Sequence, residues 1–198
     1  MPRRSAIDAE QTVRRILAEA VQQMSVHGVA GTSLGAIAES LGMSKAGVVG
    51  PFASREVLLT EAFDLGVATF REHVVAPTLS LRLRPGRERL QVLLDSWTGY
   101  LLDSPFRGGC LLTSSSFELD DHPGVLRDHM VEAGRQWRGF LSAQLSEACG
   151  AGHGLPRDAA DTSATLIGLG MALNQATRLG DAESQGRTTR LMYEAAGL

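Results

Sequence analysis

The chain has 198 residues, 43% hydrophobic and 21% charged, a balance that excludes disorder and fits one folded domain or two small ones sharing a core. At this length folding buries roughly two-thirds of the unfolded surface, so no disulfide or metal staple is required. The formal net charge of −3 excludes a wholesale polyanion binder; residues 1–60 carry six Lys/Arg against five Asp/Glu and the remainder thirteen against seventeen, a mild tilt toward a nucleic-acid-facing N-terminal part.

In chain order, the basic opening "MPRRSAIDAEQ" leads into no apolar stretch, so it does not read as a secretory signal. Val13, Ile16, Leu17, Ala20, Val21 and Met24 recur at helical spacing and predict a first helix from about Asp8 to His27, stopped at Gly28. Thr32 or Ser33 caps a short helix with Leu34, Ile37, Ala38 and Leu41 inward, closed by Gly42. After "GMSKAGVVGPF", Ser54 caps a longer helix through Leu58, Ala62, Leu65, Phe70 and Val74, which Pro77 stops. Gly86 to about Asp103 repeats the pattern with Leu90, Leu93, Leu94, Trp97, Tyr100 and Leu101. "SPFRGGCLLTSSSFELDDHPG" predicts one short helix ending near Phe117 and a turn; Asp121 and Pro123 then start a long helix through Trp137, Phe140, Leu141 and Leu145. Pro156 opens another helix, Gly180 stops it, and Asp181 caps the last. No segment alternates with period two. The fold class is all-α with about nine helices: an N-terminal three-helix helix-turn-helix domain over 1–53 and a C-terminal helical bundle over 54–198.

The segment "GMSKAGVVGPF" holds three glycines and a single charge, Lys45. It is too bare to pack as a core helix. Two short helices joined by a glycine turn form a helix-turn-helix, with the second member in the DNA major groove. Here Thr32–Leu41 is the first member, Gly42-Met43 the turn and Ser44–Gly50 the second. Small residues at Ala46, Gly47 and Gly50 let the backbone approach base edges. Ser44 at the cap aims backbone N–H groups at a phosphate, and Lys45 supplies charge for a phosphate or a guanine edge. Thr32 and Ser33 complete this DNA-facing set from the start of the first member. The bland alternative is a helical hairpin whose glycines merely allow close packing, but the stub lacks the apolar stripe that would require.

From Gly28 to Leu59, "GVAGTSLGAIAESLGMSKAGVVGPFASREVLL" resembles the DNA-binding segment of the TetR family of bacterial transcriptional regulators. The Gly-x-x-x-Thr-Ser-Leu opening, the Ile-Ala pair, "LGMSK", Phe52 and "SRE" carry the likeness, and "GGCLLTSSSFELDDHPGVLRD" resembles a segment from one branch of that family. The resemblance implies a homodimer in which each N-terminal domain reads half of a palindromic operator on double-stranded DNA. It further implies a C-terminal helical domain that binds a small-molecule effector and thereby releases DNA. Where the family carries an aromatic followed by histidines, this chain has Val49, Gly50 and Pro51. Val49 trades that aromatic contact for a possible thymine methyl, and Pro51 ends the recognition helix by Gly50. Arg55 stands in place of the usual lysine and keeps a cation for phosphate.

Elsewhere the residues point to binding rather than catalysis. No phosphate loop, GxSxG or HExxH occurs, and the five histidines do not cluster in metal-ligand spacing; His122 and His129 beside Asp120 and Asp121 read better as a helix cap than as a metal site. Neither metal nor cofactor is expected. Trp97, Tyr100, Phe106 and Trp137, with Phe70, are candidate walls for a largely apolar effector. Cys110 follows two glycines, which would leave its thiol open to solvent, so oxidation of Cys110 is an alternative trigger, with Arg107 as its neighbouring cation. A helical enzyme or carrier that does not bind DNA is the remaining alternative. Ala160, Ala164, Ile167, Gly168 and Met171 form a small, apolar stripe that predicts dimerisation through the last two helices, Pro156–Arg178 and Asp181–Ala196. No apolar run approaches the ~20 residues that cross a bilayer. The two cysteines lack a CxxC pattern, so reduced thiols and a cytoplasmic location are expected.

Overall fold

The computed structural model describes residues 2–198, with side chains from Ile7 onward, so the side chains of the basic opening lie outside the described residues. All regular structure among the described residues is helical. The chain groups into two compact units, 1–67 with 106–130 and 68–105 with 131–198. None of these helices is long and apolar enough to cross a membrane.

In the first unit, helix α1 (Pro2–Gly31) buries Ile16, Ala20, Val21 and Met24, the stripe its spacing predicts. Gly28 does break the helix, at φ 74 and ψ 174, but one more turn follows before the chain leaves. Helix α2 (Leu34–Leu41) starts at Ser33, whose hydroxyl accepts from Ala36 N at 3.1 Å, and ends at the left-handed Gly42 (φ 65). Only a residue without a Cβ takes that conformation at no cost. Helix α3 (Lys45–Val49) follows after three residues, Gly42, Met43 and Ser44, and packs on α2, with Val48 fully buried. Ser54 caps helix α4 (Arg55–Phe70), accepting from Val57 N at 3.2 Å.

Pro77 does not stop this helix. The chain passes through a π-turn (Arg71–Val75) and continues as Ala76–Ser80. In the π-turn the Ala76 N–H reaches back to Arg71 O, one residue further than an α-helix allows. Proline then falls in the first turn of the next α segment, where a missing N–H breaks no bond.

The second unit takes up this extension with helix α5 (Arg87–Leu102), which buries Leu90, Leu93, Leu94, Trp97, Tyr100 and Leu101. Helix α6 (Leu111–Glu118) returns to the first unit and packs against α1. Helix α7 (Val125–Gly150) begins two residues later than Pro123 would set it, because Gly124 at φ 155 is not helical and its carbonyl accepts the first helical bond, from Asp128 N. Helix α8 (Ala159–Leu179) starts not at Pro156 but at Asp158, whose carboxylate accepts from Asp161 N at 2.8 Å; a charged cap outweighs a proline's fixed φ. Helix α9 (Ala182–Ala195) is capped by Asp181 as its sequence predicts, and the hydrogen bonds from Ser184 hold that carboxyl below its ordinary value. Tyr193 ties α9 to α5 by donating to Asp95 Oδ1 at 2.6 Å; burial, reinforced by that carboxylate, raises its phenol above the usual value.

Helix α8 lies close on α5 because Gly170 leaves room for an indole: a Cβ there would stand 2.5 Å from Trp97 Cζ2. Gly139, exposed in the middle of α7, meets nothing within 4 Å. Gly170→Ala is therefore expected to lower the unfolding free energy by about 1–3 kcal/mol through overpacking. Gly139→Ala should raise it by about 0.5–1 kcal/mol through helix propensity alone. Urea titration of the two variants checks both signs.

Candidate nucleic-acid interface

Helix α3 has five residues, and an isolated helix of that length is unstable in water. It is held by its cap and its inner face. Ser44 Oγ accepts from Gly47 N at 3.0 Å, and Val48 (0% exposed) and Phe52 (8%) fill the space beneath. That inner anchoring leaves Lys45, Ala46, Val49 and Gly50 on one outward face, with Val49 half-buried and the others exposed. The face carries one cation and otherwise methyl groups and backbone, the surface that a close approach to base edges requires.

Lys45 is the only lysine in the chain. Its stem lies across the start of α2, where Gly35 makes room: a Cβ at Gly35 would meet Lys45 Cε at 3.0 Å, Nζ at 3.4 Å and Ser33 Oγ at 3.8 Å. The ammonium and the exposed Ser33 hydroxyl thus come together from two helices, a pairing suited to one phosphate. Sequence reading named both groups but not Gly35, whose role shows only when α2 and α3 are packed. Gly47 is half-buried beside the Ser44 cap, and Gly50 donates its N–H to Ala46 O at 2.8 Å.

Thr32 and Arg55 are placed differently from the rest of the expected DNA-facing set. Thr32 is 1% exposed, and its hydroxyl donates to Gly28 O at 2.7 Å. It is part of the core. Arg55 lies at the surface, but its Nη2 donates to Val29 O at 3.2 Å and Thr32 O at 2.8 Å, bracing the junction between α1 and α2. From the other side Glu118 accepts from Val29 N at 2.7 Å and Ala30 N at 2.6 Å. No sequence signal marked Glu118, since its partners lie 88 and 89 positions away.

Of the candidate effector walls, Phe70, Trp97, Tyr100 and Trp137 come together in the second unit. Phe70 packs edge-on to Tyr100 (centroids 5.3 Å apart) and to Trp137 (5.0 Å), and Trp97 edge-on to Trp137 (4.8 Å). Such tilted pairs suit the ring quadrupoles. In the same unit the buried Gln144 keeps its side-chain oxygen without a donor. Phe106 and Cys110 belong to the first unit. The expectation of an open Cys110 is corrected: the thiol is 3% exposed, because Gly108 and Gly109 are themselves buried, with the Gly108 backbone pressed against Ser25. Cys149 is the exposed one. His129, weighed as a metal ligand, instead sets its Nδ1 2.9 Å from Asp64 Oδ1.

Two family models match the chain: "Bacterial regulatory proteins, tetR family" over residues 16–62 and "Tetracyclin repressor-like, C-terminal domain" over residues 86–192. No curated protein sequence matches. Among solved structures, a TetR transcriptional regulator from Chloroflexus aurantiacus is 24% identical, with a TM-score of 0.82 and 93% of each chain covered. A transcriptional regulator from Saccharomonospora viridis in complex with choline is 20% identical at a TM-score of 0.79, covering 93% of this chain and 95% of that one. AibR in complex with isovaleryl coenzyme A and operator DNA is 20% identical at 0.73, covering 93% and 99%. At such identities the likeness is one of fold. The burial of Cys110 gives a direct check: a thiol reagent applied to native protein should modify Cys149 within minutes and Cys110 only after denaturation, as read by mass spectrometry.

Proposed function

The chain belongs to the TetR family of bacterial transcriptional regulators, DNA-binding proteins that are not enzymes, and on that premise we propose that it represses transcription from a palindromic operator until a small, largely apolar effector releases it. The observation that carries this reading is the outward face of α3, where Lys45, Ala46, Val49 and Gly50 present one ammonium and almost no bulk. Ser33, Ser44 and Gly47 support that face from the helix starts, and residues 1–53 act as the reader. Few cations mean few phosphate contacts, so the salt dependence of binding is shallower than for a strongly basic repressor.

Residues 54–198 serve effector binding and dimerisation. The ring cluster of Phe70, Trp97, Tyr100 and Trp137 offers apolar walls, and the undonated oxygen of Gln144 offers a polar anchor. Choline in one protein of the same fold, and isovaleryl coenzyme A with operator DNA in another, are precedents for both partners. An effector that favours the DNA-free state ~100-fold supplies about 2.7 kcal/mol of coupling, enough to switch occupancy. Release by oxidation of Cys110 is the weaker reading, since its thiol is buried. The protein works in the cytoplasm.

Palindromic reading needs two-fold symmetry. On α8, Ala160, Ala164, Gly168, Ala172 and Leu179 are exposed while Leu166, Gly170 and Leu173 face inward. Of the predicted stripe, Ala160, Ala164 and Gly168 are exposed and Ile167 and Met171 half-buried, and these meet a second copy together with Leu191 of α9, 38% exposed.

Two experiments test this. Lys45→Ala and Ala46→Glu should each weaken binding to the DNA flanking the protein's own gene by about tenfold in a band-shift, with unchanged helical content. Ala46 is the cleaner place for a glutamate, because a Cβ at Gly50 would stand 2.9 Å from Ala46 O. Unaltered affinity in both variants rules out α3 as the reader. Gly168→Arg should convert a dimer at micromolar concentration to a monomer in sedimentation; a wild-type monomer overturns the assembly.

A further inference from the structure

Gly28 interrupts α1 in a conformation, φ 74 and ψ 174, that turns the next two amides out of the helical ladder. Both find the same acceptor. Val29 N donates to Glu118 Oε2 at 2.7 Å and Ala30 N to Glu118 Oε1 at 2.6 Å, a forked pair of charge-assisted bonds. The missing side chain at Gly28 is what admits the carboxylate, since a Cβ there would lie 2.6 Å from Oε2. Glu118 is the last residue of α6, and the start of the same segment is tied to α1 as well. Arg107 N donates to Gln22 Oε1 at 3.0 Å, and Gly108 N to Ser25 Oγ at 3.0 Å. The segment from Arg107 to Glu118 is thus a strap fastened to α1 at both ends. Its far fastening lies on the residues that lead into α2, which Arg55 grips by their carbonyls.

The far fastening borders open space. A cavity of about 270 Å³ adjoins it, lined among others by Val29, Ala30, Glu118, Pro123, Val125 and Arg127. The carboxylate can swing into that space without disturbing close-packed side chains, and the released amides can take water. At the other end no such room exists, for a Cβ on Gly108 would collide with the Ser25 backbone at 1.6–1.9 Å.

We infer that Glu118 is a positioning residue for DNA binding: its carboxylate fixes the α1–α2 junction, and through it the placement of α2 and α3. This rests on α3 being the reader. The test compares wild type, Glu118→Gln and, as control, Phe117→Ala, whose side chain is 67% exposed. An amide in place of the carboxylate keeps the length but removes the charge and one acceptor. Glu118→Gln should speed hydrogen exchange at the Val29 and Ala30 amides about tenfold and weaken binding to the gene-flanking DNA about tenfold. Helical content should stay at the wild-type value, the melting temperature should fall by no more than a few degrees, and Phe117→Ala should change nothing. Unchanged exchange at Val29 and Ala30 overturns the inference, as does faster exchange with DNA affinity within twofold of wild type. Absence of any band-shift by the wild type points instead to failure of the operator reading.

Discussion

A helix that must sit against DNA cannot also wrap itself in side chains that would stabilise it. In the proposed reading the five residues of α3 meet this constraint, because every bulky group added to the outward face would push the backbone away from the bases. Stability has to come from behind and from the ends. Val48 and Phe52 fill the inner side, Ser44 closes the first turn, and the left-handed Gly42 turns the chain so that α3 packs back on α2. An isolated stretch of this length would not hold. The rest of the first unit supports this short element from behind.

That support relies on backbone contacts more than on ion pairs. Arg55 and Glu118 hold the entry to α2 by main-chain oxygens and nitrogens, groups whose positions are fixed by the chain trace and not by rotamers. The ion pair of Arg107 with Glu19, at 3.5 Å and with the arginine well exposed, contributes little by comparison. The second unit is held in another way, by interlocked aromatic rings and by the close approach of α8 to Trp97 at Gly170.

What could be read from the sequence was what is decided within a turn or two of the chain. Ser33, Ser44, Ser54 and Asp181 were legible as caps because each bonds an amide three residues ahead. The helical class and the buried stripe of α1 follow from spacing alone. Pro77 misled because a proline's effect depends on the hydrogen-bond register before it, which the π-turn changes. Thr32 looked like a surface hydroxyl at a helix start, yet the neighbouring Ser33 took the cap and left Thr32 inside. Cys110 looked open beside two glycines, whereas the glycines serve close packing. Glu118 gave no sign, for its partners are made by the fold.

The solitary lysine has a chemical corollary. Any acyl donor that reacts with primary amines can modify only one side chain in this protein, and that one lies on the face of α3, exposed to solvent. Acetyl transfer to Lys45 would erase the ammonium beside Ser33 and leave the rest of the surface as it was. The same singularity makes an amine-directed fluorophore a reporter confined, apart from the chain's own α-amine, to the position where nucleic acid would shield it.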